Sequence, residues 1–327
     1  QDICITEKYS PDSGKGGLGF LSRSLERHFN ERPYLDHTCY LVLTKTTKER
    51  SRQQSNWNTR CRKFRVPKEI QDRETMERFM ESVGQFESIV NDSGLARLER
   101  LSTEEITGTE DGPGIIERYL TLSANGSVML QDMQLNPDEM RIGDKRLCLH
   151  TLSDLDDLPG RVRTDGRHER LSTDRSACRL RYASPVGIML PCGHIHHPWI
   201  FIDDSSENLA RFEKTAKNMQ SLSRYSRSNQ INKEWLDEYL NVAHTNGLQS
   251  VRCHCNVIAW AENGDELRRV KNDVGSALAL MECPPRPNTT HLPVLYWARL
   301  PGNAADFPSD ERFHTFTAPA LCLFTAE

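Results

Sequence analysis

Apolar residues recur with the period of an α-helix in four segments of the chain. The clearest is Arg73 to Val90, where apolar positions follow at intervals of three and four with polar residues between them. This helix is predicted to end at Asn91–Gly94, because Gly and Asn tolerate the left-handed C-cap conformation. The same spacing predicts helices from Ser205 or Ser206 to Leu222, over Asn232 to His244, and over Leu267 to Met281.

The second and third of these helices are expected to pack against each other. Their predicted packing faces carry Leu209, Phe212, Ala216, Met219 and Leu222 in one helix and Trp235, Tyr239 and Leu240 in the other.

Strands are predicted where apolar residues alternate with polar ones or run together. Asp36 to Thr44 is apolar on both faces, which is typical of a central strand buried on both sides. Val251 to Trp260 alternates cleanly. Ala183–Leu190 and Trp199–Asp203 are expected to form a hairpin around Pro191–Gly193. Further strands are predicted at Leu95–Leu101, Leu147–Leu152 and Val294–Arg299.

This order of elements predicts an α+β fold, with mixed or antiparallel sheets covered by helices and a ferredoxin-like arrangement as one option. The stretch Gly108 to Asp144 is rich in Gly, Pro and Asn and offers little core of its own. Two lobes are therefore expected, residues 1–145 and residues 146–327.

Composition narrows the class of protein. With 327 residues, 37% hydrophobic and 27% charged, the chain is long enough for one large core or two ordinary ones. A net charge of -4 argues against a protein that coats nucleic acid. The longest nearly apolar stretch, Ala183–Cys192, is far shorter than the ~20 residues of a membrane span, so membrane contact is expected through partners. Ten cysteines without framework spacing indicate a reducing cytoplasm.

Several runs of the sequence together resemble one protein family, in family order and over nearly the whole chain. They are HTCYLVLTKTTKERSRQQS (37–55), EEITGTEDGPG (104–114), LNPDEMRIGD (135–144), LCLHTLSDLDDLPG (147–160), RLSTDRSACRL (170–180), NLARFEKTAKNMQSLSRYSRSNQIN (208–232) and YWARLPGNAADFP (296–308). The family is that of the TraG proteins of conjugative transposons, which belong with the fourth VirB component, the large ATPase of type IV secretion machines.

The resemblance implies a parent protein that couples ATP hydrolysis to conjugative DNA transfer, as an oligomer in the bacterial cytoplasm at the face of the inner membrane. Its ATP and Mg²⁺ would be held by a RecA-like motor domain expected after residue 327. The chain begins with Gln1 and no leader, so a segment of a longer protein is expected. The implied partners are inner-membrane components of the conjugation channel and neighbouring subunits.

No phosphate-binding loop GxxxxGK[ST] occurs in the sequence. The nearest approach is Ser13–Gly17, where Tyr9 stands in place of the first Gly and Gly16 in place of the Ser or Thr that would hold Mg²⁺. No catalytic residue and no cofactor is therefore expected in this chain. It is predicted to be a docking module and not an enzyme.

Two cysteine and histidine clusters supply the ligand types that zinc prefers. Their members are Cys192, His194, His196 and His197, and Cys253, His254 and Cys255. Neither cluster has the C-x2-C or H-x3-H spacing of structural zinc sites, so turn and core positions are the favoured interpretation. A free-standing metalloprotein is the weaker alternative, and about one zinc per chain, with unfolding by chelator, would establish it.

The segment Lys45 to Arg65 carries eight basic residues and one acidic one, Glu49, which makes it net +7. The basic residues are Lys45, Lys48, Arg50, Arg52, Arg60, Arg62, Lys63 and Arg65. Trp57 and Phe64 lie among them, and aromatic rings among cations are the ingredients of single-stranded DNA binding. A solvated loop, docking to an acidic protein and nucleic acid are the three interpretations. A salt-dependent affinity for single-stranded DNA, lost on reversing Arg60, Arg62 and Lys63, would favour the last.

Acidic residues occur at two predicted turns. Asp154, Asp156 and Asp157 precede Pro159–Gly160, and Asp203–Asp204 precedes a predicted helix. Carboxylates near exposed backbone amides cap helices, so capping is the expected role at both places.

Overall fold

A computed structural model describes residues 35, 37–45, 72–123 except 95, 131–160 except 137–138, and 179–324 except 188 and 223–224. It also describes residue 23 and, between 161 and 178, residues 162, 165–167, 172, 174–175 and 177.

The described elements follow one another in this order: α1 (Arg73–Asp92), α2 (Thr103–Thr107), α3 (Ile115–Thr121), β1 (Met133–Leu135), β2 (Met140–Ile142), β3 (Lys145–Leu152), β4 (Asp165–Arg167), β5 (Arg179–Arg181), α4 (Ser184–Gly187), β6 (His194–Phe201), α5 (Ser205–Leu222), α6 (Arg227–Asn246), β7 (Ser250–Ala261), α7 (Gly264–Leu280), α8 (Leu292–Ala298), β8 (Phe313–Phe316) and α9 (Thr317–Phe324). Short 3₁₀ turns occur at Leu155–Asp157 and Ala304–Asp306.

The predicted α+β class is confirmed. One sheet has the strand order β1-β2-β3-β7-β6, with β8 also paired to β7, and β4 with β5 forms a separate two-stranded sheet. Strand β7 pairs antiparallel with both β6 and β8. Its side chains are buried over almost its whole length. The alternation in Val251–Trp260 predicted this strand, although both of its faces are covered and not one alone.

The main core lies between one face of β7 and helix α7. Cys253, Cys255, Val257 and Ala259 point to that face, because they alternate along the strand, and all four belong to one buried cluster. Helix α7 contributes Leu267, Val270, Val274, Ala277 and Leu278 to the same cluster. The helix starts at Asn263, whose side-chain oxygen accepts a hydrogen bond from the Glu266 backbone N at 2.8 Å. The helical period of the sequence therefore identified both the element and its buried face.

The described residues fall into two compact units. The first unit contains the described residues up to Cys39, within Cys148–Pro287 and within Asp310–Glu327. The second unit contains the described residues within Tyr40–Leu147 and Asn288–Ser309. The predicted lobes, 1–145 and 146–327, were continuous in sequence, whereas both units are discontinuous. In the second unit Tyr119 and Tyr296 stack at 4.7 Å, and each hydroxyl donates a hydrogen bond to the other residue's carbonyl oxygen. A contact between residues so distant in the chain has no local sequence signal.

Four predicted helices are confirmed as α1, α5, α6 and α7. Helix α1 begins where Asp72 accepts a hydrogen bond from the backbone N of Thr75, and it ends at Asp92, before Gly94, which has φ +68°. The predicted strand at Leu147–Leu152 is also confirmed, as the greater part of β3.

The prediction of a buried central strand at Asp36–Thr44 is wrong for the described residues. Residues 37–45 form no strand, and Tyr40, Leu41, Val42 and Leu43 are exposed. An apolar run predicts a buried strand only if neighbouring strands pair with it and cover it. Among the described strands none pairs with this segment.

The predicted hairpin of Ala183–Leu190 with Trp199–Asp203 is also wrong. Ser184–Gly187 is the short helix α4, which suits Pro185 because proline in a first helical turn loses no hydrogen bond. The strand at Trp199 begins earlier, at His194, and its partner is β7. The true pairing joins segments about 50 residues apart, and no turn motif marks it.

Two further predicted strands are wrong. Val294–Arg299 lies largely in helix α8, where Leu292, Leu295 and Tyr296 are buried at helical spacing and Pro293 occupies the first turn. Residues 96–100 form no strand; the Leu98 backbone N donates to Asn91 Oδ1 at 2.7 Å instead. Short apolar runs do not distinguish the two element types, because each fits either period.

We expect the stability of the chain to fall as the pH is lowered from about 6.5 towards 4, because of His150 in β3. This residue is 4% exposed, and its burial, reinforced by the positive charge of Lys271, lowers the pKa of the imidazole to about 4. Between that value and about 6.5 the unfolded chain binds a proton that the folded chain does not, so stability is full above 6.5 and is lost as the pH falls.

The expected contribution of His150 between pH 6.5 and pH 4.5 is about 1–2 kcal/mol. Urea unfolding at both values measures it, and His150→Leu is expected to flatten the dependence by that amount. His244→Leu is the control, since His244 is exposed. Equal pH dependence in the wild type and in His150→Leu would contradict this prediction.

Candidate functional site

Helices α5 and α6 form an antiparallel hairpin that is inserted between the neighbouring strands β6 and β7. Helix α5 is capped by Asp204, whose Oδ1 accepts hydrogen bonds from the backbone N of Ser206 at 3.0 Å and of Glu207 at 3.3 Å. The two ends of the insertion meet, because the backbone N of Ser250 donates to Ser205 Oγ at 2.9 Å. The capping predicted for Asp203–Asp204 is confirmed for Asp204; Asp203 instead forms an ion pair with Arg252.

One side of this hairpin is anchored to the sheet by aromatic contacts. Tyr239 of α6 stacks on Phe316 of β8 with ring centroids 4.4 Å apart, and Phe212 of α5 meets Tyr239 edge-on at 5.7 Å. The Tyr239 hydroxyl donates a hydrogen bond to Ser250 Oγ at 2.9 Å. Together with buried Leu240 and Ala243, these contacts fix which side of the hairpin faces the protein.

Near its turn the hairpin exposes large apolar side chains. Tyr225 is 85% exposed, Trp235 64% and Leu222 50%, and Ile231 is also exposed. We call these four residues the hairpin patch. Apolar side chains are abundant on all protein surfaces, but an exposed tryptophan, tyrosine and two aliphatic residues near the connection of two helices are a concentration typical of interaction sites.

The contact of Glu213 with His244 shows that Leu222 and Trp235 lie at a matching level of the hairpin. His244 Nε2 is 3.2 Å from Glu213 Oε1, which sets these two residues at one level, with their side chains turned towards each other. Leu222 follows Glu213 by nine residues, and Trp235 precedes His244 by nine. Nine residues are about 2.5 helical turns, so both side chains lie at a matching level, each turned away from the direction of that contact.

The sequence assigned Leu222 and Trp235 to the packing faces of their helices, and this assignment is wrong. The buried positions of α6 are Leu240 and Ala243, with Leu236 partly buried one turn earlier. Trp235 precedes Leu236 by one residue, which places it about 100° away round the helix axis. The angle of Trp235 from the centre of the helix's apolar face, rather than its spacing from the nearest apolar residue, would have placed it at the edge of that face.

The predicted metal candidates lie along β6 and β7 without converging. In the pairing of these strands His194 is opposite Ala259, His196 is opposite Val257 and Cys255 is opposite Pro198. His194 and Cys253 are therefore six positions apart along the ladder, which is about 20 Å. No group of three or more candidate ligands comes together within the described ranges.

Several of these side chains have a local partner. His194 Nδ1 lies 2.8 Å from the Cys192 carbonyl oxygen and its Nε2 2.8 Å from that of Gly187, which ties β6 to α4. His196 Nε2 is 3.2 Å from Cys255 Sγ. Burial raises the pKa of the Cys192 thiol to about 11 and that of Cys253 to about 12, so both thiols are protonated at neutral pH.

Of the basic segment, Lys45 is described and is exposed. Lys48, Arg50, Arg52, Arg60, Arg62, Lys63 and Arg65 lie outside the described residues, as does Ser13–Gly17. The interpretations of this segment stay predictions.

The three aspartates after β3 have separate roles. Asp157 is fully buried, and its Oδ2 accepts hydrogen bonds from the backbone N of Ser153 at 2.9 Å and of Asp154 at 3.0 Å. Its Oδ1 forms an ion pair with Arg286 Nε at 2.6 Å. Asp154 and Asp156 are exposed. The predicted capping role is confirmed at this turn, and Asp157 is the residue that supplies the acceptor oxygen.

In comparisons with known proteins, no family model and no curated protein matches the chain. None of the described helices is both long and apolar enough to cross a bilayer. The described residues thus define an α+β protein that displays an apolar patch on an inserted helical hairpin. The resemblance to the TraG family rests on the quoted sequence runs.

Proposed function

We propose that the chain is a non-catalytic docking and assembly region of a conjugative-transfer ATPase of the TraG type. Its parent would use ATP hydrolysis to drive conjugative DNA transfer, as an oligomer on the cytoplasmic side of the inner membrane. The role of this region is to hold the motor against an inner-membrane component of the conjugation channel, and the hairpin patch is the contact surface.

The hairpin patch is the observation that carries this proposal. The longest run that resembles the family, residues 208–232, covers most of α5, the turn and the start of α6. Three of the four patch residues fall within it, and Trp235 lies three residues beyond. The run thus contains the exposed Tyr225 and ends just before the exposed Trp235, and tyrosine and tryptophan are among the side chains that most often dominate binding energy.

The contact can be tested by giving the patch a charge. Leu222→Glu and Trp235→Glu are each expected to weaken binding to the purified inner-membrane component by about thirtyfold or more, because a central tryptophan or leucine anchor is replaced by a charge that must be desolvated. Biolayer interferometry with the immobilised chain measures the change. Leu280→Glu is the matched control, since Leu280 is a 65% exposed leucine on helix α7.

Equal loss of binding in Leu280→Glu, or unchanged binding in both patch variants, would contradict the assignment of the patch. A second measurement addresses the non-catalytic role. The purified chain is expected to show no ATP turnover above a buffer control, and turnover that persists through repurification would count against it. Unchanged binding in the patch variants together with a salt-dependent shift of single-stranded DNA would favour the nucleic-acid interpretation instead.

A further inference from the structure

Helix α1 keeps an apolar face at the surface. None of its 20 residues is buried. Four of its large apolar side chains are between 40% and 69% exposed: Met76, Met80, Phe86 and Ile89. A helix with one apolar stripe ordinarily buries that stripe against the rest of the protein. The stripe of α1 is therefore a surface that another molecule can cover.

The spacing of the apolar residues in α1 indicates what kind of molecule that is. Five of them follow at intervals of three, four, three and four: Met76, Phe79, Val83, Phe86 and Val90. We call these five residues the α1 seam. Alternating intervals of three and four have a mean period of 3.5 residues, which keeps one line of side chains facing a second helix along its length. The pattern is thus typical of a helix that pairs with another helix.

The charges of α1 favour a second copy of the same helix over a charged partner. Most of its charged side chains form ion pairs within the chain: Arg73 with Glu77 at 2.7 Å, Glu74 with Arg78, and Glu87 with Arg100 at 2.7 Å. The helical positions directly beside the seam, apart from Glu87, are uncharged: Thr75, Met80, Ser82 and Ile89. A second α1 can therefore approach without setting like charges against each other, whereas a basic or acidic helix would find little to pair with there.

We propose that α1 pairs with α1 of a second copy of this chain, antiparallel, through the α1 seam. In that arrangement Met76 meets Phe86 of the second copy and Phe79 meets its Val83, so each layer holds one phenylalanine and one smaller side chain. A parallel pair would set phenylalanine against phenylalanine in two layers and valine against valine in two others. The first would be overfilled and the second underfilled, and both cost stability.

The area of the seam sets the strength of this contact. With ~200 Å² of surface on a large apolar side chain, exposures of 40% to 69% leave roughly 80–140 Å² on each of the four exposed residues. With the half-buried members of the seam, two copies would together bury about 1,000 Å², just below the range of stable complexes. A dissociation constant on the order of 10 μM is expected from such an area. That affinity is sufficient between neighbouring subunits of an oligomer, where the local concentration is high.

Self-association can be measured on the full 327-residue chain by sedimentation velocity. The concentration is varied from about 1 to about 300 μM, a range that brackets the expected dissociation constant. The weight-average mass is expected to rise with concentration from that of one chain towards that of two. A chain that stays monomeric over this whole range would overturn the proposal.

Val83→Glu is expected to weaken dimerisation by about thirtyfold or more, because the dimer would have to desolvate two carboxylates against phenylalanine rings. Gln85→Glu is the matched control. It adds the same charge to an exposed position of the same helix, about 200° further round its axis, and is expected to change the affinity less than about twofold. Circular dichroism checks that both variants keep the fold of the wild type. Equal affinities in the two variants would overturn the proposal.

The antiparallel direction is tested by mixing two variants, Val83→Glu and Phe79→Lys. The antiparallel pair sets the new glutamate of one copy against the new lysine of the other, so the mixture is expected to associate within about tenfold of the wild-type affinity. Each variant alone is expected to be monomeric at the same concentration. A parallel pair would leave each charge against an apolar side chain, so a mixture that does not associate would contradict the arrangement proposed here.

This proposal names the surface through which subunits of the proposed oligomer meet, and to that extent it rests on the proposed function. The two can nevertheless fail separately, because α1 contributes no residue to the hairpin patch. Val83→Glu is expected to change the affinity for the inner-membrane component less than about twofold, and Leu222→Glu is expected to change self-association as little. Self-association that persists in Val83→Glu would overturn this proposal and leave the docking assignment standing.

Discussion

Leu278→Ala is expected to lower the free energy of unfolding by about 2–5 kcal/mol, the range for a large-to-small change in a packed core. Leu278 is 2% exposed and belongs to the cluster in which helix α7 packs on β7. Other members of that cluster, such as Val274 and Val257, are held in a helix and a strand, which limits how far the core can close on the cavity. Urea denaturation followed by circular dichroism gives the value directly.

The same helix supplies a matched control. Leu280 lies two residues further on and is 65% exposed. Leu280→Ala is expected to change stability by less than about 0.5 kcal/mol. Similar effects of the two substitutions would show that α7 does not pack through the face assigned to it here.

Asp157→Ala is expected to cost about 2–4 kcal/mol, because one buried carboxylate satisfies several partners at once. Its loss leaves the backbone N–H groups of Ser153 and Asp154 without their acceptor and removes the ion pair with Arg286. Arg286 is half exposed, so water can solvate its charge after the substitution, which limits the cost.

Asp156→Ala separates this effect from a general loss of negative charge. Asp156 is exposed in the same short turn, and its removal is expected to change stability by less than about 0.5 kcal/mol. Urea unfolding of the two variants side by side measures the difference. If Asp156→Ala destabilised the chain as much as Asp157→Ala, the buried carboxylate would not be what holds the turn together.

The long helices could be predicted from sequence because each carries its own signal. In α1 and α7 several apolar residues at helical spacing, with Asp72 or Asn263 as the N-cap, all indicate the same element. Over 17 or more residues a strand period cannot imitate such a pattern. The class of fold follows from these helices and from the alternation in β7.

The pairing of strands could not be predicted in the same way. β8 has four residues and pairs with a strand that begins 63 positions earlier, so nothing near Phe313 identifies its partner. Ser184–Gly187 and Leu292–Ala298 are too short for periodicity to decide between helix and strand, and the prolines in their first turns were the better guide.

The candidate sites also differ in whether their signal is local in the sequence or depends on packing between distant segments. The sequence shows that the residues of the hairpin patch are apolar, but it does not show that they are exposed. Exposure depends on which other segments pack against them. Asp203, Arg252 and His314 come from three regions of the chain; an ion pair joins the first two, and the register of β7 and β8 sets Arg252 opposite His314. The aspartate turn, by contrast, is local, and its capping role was predictable.

The hydrogen bond between Ser205 and Ser250 has a consequence for how this protein can evolve. Because the entry and exit of the α5–α6 segment touch, the 40-odd residues between them are a module inserted between two paired antiparallel strands, β6 and β7. Lineages can lengthen, shorten or swap that module while the flanking strands keep their alignment, since a short turn spans the same gap. Recognition of a new partner can then change faster than the scaffold that carries it.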